Sequence, residues 1–170
     1  MNTKKPSDSK TVLTDLVLPS ETNSINTLFG GELLARMDRA ASIAAQRHSE
    51  QIVVTASVNH VAFNNSIPLG SIVTIEAKVS RVFNTSMEVY LDVWYTDNNV
   101  NNPIKANEAI FTFVAVDDNR RPVKIPSLKP VSNEETKRYE GALRRRQLSL
   151  VLAGKIPADA ATELKALFFK

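Results

Sequence analysis

The chain contains no cysteine. That excludes a disulfide framework, a thiolate nucleophile and a Cys-based zinc site, and it agrees with a reducing, cytoplasmic setting. No stretch approaches the roughly 20 apolar residues that a membrane helix needs, so no membrane partner is expected. Residues 1–10 are polar and lysine-bearing, with no apolar run. They are unlike a secretory signal and are read as a disordered tail. Histidine is scarce: only His48 and His60 occur. Two histidines without cysteine leave few ligands for a metal, and neither a metal nor another cofactor is expected.

What is present suits one domain. The length of 170 residues and the 43% apolar content suffice for a buried core. The net charge of +3 is small, but the basic residues cluster. Arg120, Arg121, Lys124 and Lys129 lie close together, and Arg144-Arg145-Arg146 follow. Such runs are ordinarily solvated surface; the functional alternative is a phosphate-bearing partner. Tyr139 is the lone aromatic near the arginines, so there is no stacking platform and no nucleic acid is expected.

The most telling stretch runs from Glu21 to Asp38. A polar loop carrying Asn23 leads into Gly30-Gly31, and an apolar-to-small helical pattern follows. Paired glycines let a backbone or ligand approach the helix start, where free N–H groups and the positive dipole end can hold a carbonyl or an anion. From Gly31 to His48 the apolar positions Leu33, Leu34, Met37, Ala40, Ala41, Ala44 and Ala45 form one helical arc. Glu32, Arg36, Arg39, Gln46 and Arg47 fall opposite. Asp38 projects at the edge of the apolar arc. It is either a boundary carboxylate reaching water or a partly desolvated carboxylate with a chemical task. Asn23, taken alone, reads as a turn or helix-cap residue.

Strands are expected over 12–18, 51–62, 71–83, 87–96 and 104–116, with a tight turn at Asn84-Thr85-Ser86 and an Asn-rich loop over 97–103. Residues 117–130 carry charges and three prolines and should be irregular. Ser132-Asn-Glu-Glu135 reads as the start of a charged helix to about Gln147, and a last short helix is expected over 157–168. One long helix and an antiparallel sheet give an α+β layout.

These residues together resemble the hotdog-fold acyl-CoA thioesterases, specifically the cytosolic acyl-CoA hydrolase group. The resemblance is carried by Asn23 through Phe29-Gly30-Gly31 to Met37-Asp38. It continues with Val54-Thr55-Ala56 and Phe63, then Pro68-Leu69-Gly70. Further on it takes in Arg81 through Thr85-Ser86 to Glu88-Val89, and Ala115-Val116-Asp117 leading to Arg121-Pro122 and Pro126. Asn26, Asn59, Ser66 and Ser71 depart from the family's usual residues. The resemblance implies an antiparallel sheet wrapped around a long central helix over residues 11–130, with a C-terminal helical extension over 131–170. It implies hydrolysis of acyl-CoA to free CoA and a carboxylic acid.

For that reaction Asp38 is the well-placed acid, either general base or nucleophile. The backbone N–H of Gly30 or Gly31 can polarise the thioester carbonyl, and Asn23 can orient water or the carbonyl. Asp38 follows Gly30 by eight positions, about 12 Å along a helix, too far for both to meet one reacting carbonyl. The expectation is therefore that Asp38 of one subunit works with Asn23 and the Gly30 helix start of another. The resemblance implies the same shared dimer site, and a hexamer built as a trimer of dimers. It also places CoA near Arg81, Asn84, Thr85 and Ser86, with Arg120 and Arg121 close; Arg144 to Arg146 are further candidates whose plain reading is a solvated helix face. A hotdog dehydratase would need a catalytic histidine in the corresponding loop, where none stands. A non-catalytic acyl-CoA-binding or regulatory module is the remaining alternative.

Overall fold

The computed structural model describes residues 2–97 and 102–168. Five strands form one antiparallel sheet in the order β1-β3-β4-β5-β2. They are β1 Thr11–Leu16, β2 Ile52–Phe63, β3 Ile72–Phe83, β4 Ser86–Thr96 and β5 Ile104–Val116. Helix α1, Gly30–Ser49, packs on one face, and α2, Asn133–Leu152, crosses the other. A short α3, Thr162–Lys165, comes after α2.

Period-two alternation sorts the two faces. Val73, Ile75, Ala77 and Val79 of β3, Val89, Leu91 and Val93 of β4, and Phe111 and Phe113 of β5 are buried in one core with α1. The helix contributes Leu33, Met37, Ala40, Ala41, Ala44 and Ala45, all at most 3% exposed. Four alanines on that arc let the helix sit close to the sheet. Truncating Met37 to Ala in such a core costs about 2–5 kcal/mol. This is the hotdog arrangement, with the sheet wrapped around a long helix.

The outer face holds α2 through charge. Arg145 grips the buried carboxylate of Glu88 with two hydrogen bonds, 2.9 and 2.8 Å. Arg138 pairs with Asp92 at 2.8 Å and stacks on Tyr90. Ser132 and Glu135 cap the start of α2 reciprocally. Its end lies beyond the expected Gln147, where Gly154 takes a left-handed φ of 66° that favours glycine. The last expected helix is shorter, a 3-10 turn at Ala158–Ala160 and then α3. The Asn-rich loop expected over 97–103 lies partly outside the described residues.

The segment expected as a loose tail is packed over residues 2–10. Lys4 forms a parallel bridge with Leu128, and Pro6 and Ser9 are buried. The Ser9 hydroxyl accepts the Val79 N–H at 2.9 Å. The physical reason lies at the end of α1: the Lys4 ammonium donates to the carbonyls of Arg47 and His48 and pairs with Glu50, supplying partners that helix C-termini lack.

Candidate active site

At its other end α1 is left open. Phe29 precedes the helix with extended backbone, and no side chain caps it, so the first-turn N–H groups are free to bind a ligand. A Cβ at Gly30 would meet the Phe63 ring at 3.6 Å, and one at Gly31 the Phe29 ring at 3.5 Å. These are ordinary contacts, so the glycines serve to keep the helix mouth clear rather than to relieve strain. Beside it lies a cavity of about 270 Å³, walled by Leu28, Gly30, Leu33, Phe63, Ile67 and Asn107 among others.

The Asn23 loop is fastened to this mouth. The Phe29 N–H donates to the Glu21 carbonyl, and Thr22 bridges to Leu28. Asn23 spans its own loop: Oδ1 accepts the N–H groups of Ile25 and Thr27, and Nδ2 donates to the Thr27 hydroxyl at 2.9 Å. The turn role is thus real, yet an amide nitrogen carries two hydrogens, and one bond to Thr27 leaves the second to donate.

Arg36 corrects an expectation. Its helical position suggested the solvent face, but the side chain is 5% exposed and bonds Glu21 at 2.7 Å and the Leu16 carbonyl at 3.1 Å. Burial is tolerable because a carboxylate and a carbonyl meet the guanidinium. The Leu18 N–H and then Arg36 hold the Glu21 carboxyl below its usual range. The clamp joins the body of α1 to the loop that carries Asn23.

Asp38 is partly exposed on α1. Its Oδ1 accepts the hydroxyl of Thr55 at 2.9 Å, which leaves Oδ2 outside that bond. Thr55 lies on β2 where the register against β5 shifts between Thr55 and Ser57, and such bulges re-aim side chains. Thr55 was not among the expected site residues, although Val54-Thr55-Ala56 helped carry the resemblance. No hydrogen bond joins Asp38 to Asn23 or Gly30 among the described residues, and eight residues of helix rise separate it from Gly30. Met37 is fully buried in the core, whereas Phe63 walls the cavity at Gly30.

The residues expected around CoA divide. Thr85 and Ser86 line a second cavity of about 460 Å³ on the outer face, with Asn59, Phe83, Arg146 and Lys155. Arg146 donates to the Ser86 hydroxyl at 2.9 Å and stacks on Phe83. Asn84, at φ 64°, makes the β3–β4 turn, and its carbonyl accepts the Ile125 N–H. Arg81 turns into α2, donating to the Tyr139 carbonyl and stacking on the Tyr139 ring at 4.2 Å. Arg120 and Arg121 are exposed in the loop that Asp117 ties together.

The family model for the thioesterase superfamily matches residues 25–101. The chain is 38% identical to the uncharacterised acyl-CoA thioester hydrolase YkhA of Bacillus subtilis, over 81% of this chain and 80% of that one. It belongs to the thioesterase superfamily. A cytosolic acyl coenzyme A thioester hydrolase of Rattus norvegicus is 34% identical over 78% of this chain and 35% of its own. Among solved thioesterases, an apo hexameric acyl-CoA thioesterase superposes with a TM-score of 0.86 at 35% identity, covering 90% of this chain and 98% of that one. An acyl-CoA hydrolase from Staphylococcus aureus, in complex with butyryl coenzyme A, coenzyme A and coenzyme A disulfide, gives 0.82 at 34%, covering 96% and 99%. Structures of that hydrolase include alanine variants of an asparagine, an aspartate and a threonine. Their mutual spacing is that of Asn23, Asp38 and Thr55 in this superfamily member.

Proposed function

We propose that the protein hydrolyses acyl-CoA thioesters to free CoA and a carboxylic acid, using sites shared between two copies of the chain. The observation that carries the reading is the bond from Thr55 of β2 to Asp38, which stands on the helix whose uncapped start bears Gly30-Gly31, in a chain similar to acyl-CoA hydrolases over most of its length. Thr55 fixes one oxygen of Asp38, so the other can take a proton from water or attack the carbonyl itself. With water as nucleophile, the oxygen adds to the thioester carbon, its proton passes to Asp38, and the C–S bond breaks to release the CoA thiolate. The N–H groups of Gly30 and Gly31 meet the oxygen as its negative charge grows. The second amide hydrogen of Asn23 adds a donor at the same mouth. No cofactor takes part.

The second copy has a place to bind. β2 is a sheet edge of twelve residues, Ile52–Phe63, and it exposes Ile52, Val54, Val58 and Phe63 by 43–58%. An edge of this length and polarity calls for a partner strand. Antiparallel pairing about a two-fold axis at Asn59, midway between Thr55 and Phe63, would lay each Thr55 against Phe63 of the other copy. Asp38 would then face the second copy's Gly30 mouth. Hexameric relatives support further assembly as a trimer of dimers. The nucleotide end of CoA is assigned to the Thr85–Ser86 cavity, where Arg146 and Lys155 supply positive charge and Arg120 and Arg121 lie on the neighbouring loop. A cytoplasmic setting fits the relative named as cytosolic.

Turnover of a panel of acyl-CoAs of graded chain length, with wild type and Asp38→Asn, tests the reading. Hydrolysis that collapses in the variant supports it. Binding without hydrolysis by the wild type would instead make the protein an acyl-CoA-binding module.

A further inference from the structure

The cavity at the Gly30 mouth has exposed polar residues, Asn65 and Ser66, and one buried polar residue, Asn107. Leu28, Leu33, Phe63 and Ile67 are apolar, yet Asn107 of β5 is part of the same wall and only 1% exposed. Neither its Nδ2 nor its Oδ1 has a hydrogen-bond partner among the described residues. β5 alternates, so Asn107 occupies a core-facing position in line with Ala109, Phe111 and Phe113, where an apolar residue would fold at lower cost. A buried amide without protein partners is destabilising, so its bonds fall to a water or a ligand in the cavity.

At about 270 Å³ the cavity exceeds the roughly 150 Å³ engineered cavity that admits benzene, so it has room for the first carbons of an acyl group beside Asn107. We infer that Asn107 makes the protein select acyl groups bearing a hydroxyl or keto oxygen over plain alkyl groups of the same length. This rests on the hydrolase reading, with the acyl group seated beside the helix start. An oxygen on the acyl chain accepts from Nδ2, and a hydroxyl also donates to Oδ1. A plain alkyl group displaces any water there and leaves the amide unpaired, which is how a polar site rejects an apolar analogue.

The test compares kcat/KM for butyryl-CoA, 3-hydroxybutyryl-CoA and acetoacetyl-CoA with wild type, Asn107→Leu and Asn107→Ser. Wild type should favour at least one oxygenated substrate over butyryl-CoA by about tenfold or more. Asn107→Leu, similar in size without the amide, should erase that ratio by raising butyryl-CoA turnover, and Asn107→Ser should retain part of it. Where Asn107→Leu does not fold, Asn107→Ser against wild type decides. The same ratios are read as dissociation constants on Asp38→Asn, so selection is measured even if hydrolysis is absent. An equal ratio in wild type and Asn107→Leu, or a wild-type preference for butyryl-CoA, overturns the inference. Failure of wild type to hydrolyse any of the three, with selective binding intact, contradicts the hydrolase reading alone.

Discussion

The two ends of α1 are built for opposite purposes. At its C-terminal end the carbonyls of Arg47 and His48 receive the Lys4 ammonium. His48 is fully buried with Nε2 2.8 Å from the Pro126 carbonyl, and Glu50 closes the helix in a left-handed conformation. At its N-terminal end Phe29 offers no cap, two glycines withhold side chains, and a cavity opens beside them. One helix thus has the carbonyls of Arg47 and His48 paired at the end that packs, and its first-turn N–H groups left free at the end proposed to bind. The contrast fits the proposed role of the open end, since the chain caps α2 and closes the far end of α1 with its own side chains.

Breaking the open half should change activity and spare stability. Asp38→Asn should lower kcat by about 10²–10⁴-fold with little change in melting temperature, because the residue is partly exposed; steady-state kinetics alongside a thermal melt reads both. Thr55→Val keeps the strand and removes the bond that orients Asp38. A fall of about tenfold in kcat is expected, with KM nearly unchanged, as befits one hydrogen bond to a charged group. An unchanged kcat would show that Asp38 needs no orientation.

Breaking the closed half should do the reverse. Lys4→Ala removes the donor to the last carbonyls and is expected to lower the melting temperature by about 2–4 °C while kcat/KM stays at the wild-type value. His48 sharpens the comparison through pH. Burial is the main cause that pushes its pKa below the ordinary 6.5, against a smaller raising effect from the Pro126 carbonyl. The folded state therefore holds His48 neutral below the pH at which the unfolded chain takes up a proton. Stability is fully present above about pH 6.5 and is lost as pH falls from there toward the folded value. Melting temperature against pH should show that decline in wild type and a flatter profile in His48→Gln.

Much of this was legible in the residues. The arc from Leu33 to Ala45 marked α1 within one residue at each end, and strict alternation marked β3 and its inward face. Asn23, Gly30 and Gly31 could be placed at one mouth because they are close in sequence. Thr55 was not legible, because its meeting with Asp38 depends on how a strand packs beside a helix and on a bulge that local pattern does not reveal. Arg36 looked solvated because its partner, Glu21, lies in an irregular loop that folds back on the helix. Lys4 looked like part of a tail for the same reason: its partners are carbonyls far along the chain. Asn107 did leave a signal, a polar residue on the apolar phase of β5, which strand periodicity alone would flag.

Whether each site draws on two copies of the chain is decided by subunit mixing. Asn23→Ala and Asp38→Ala subunits, each first assayed alone and expected to be inactive, are unfolded together, refolded as mixed dimers and assayed for acyl-CoA hydrolysis. A shared site predicts recovery, because one of the two sites in a mixed dimer then has an intact Asn23 from one copy and an intact Asp38 from the other. No recovery in dimers shown to be mixed would contradict a shared site and place both residues in one subunit's site.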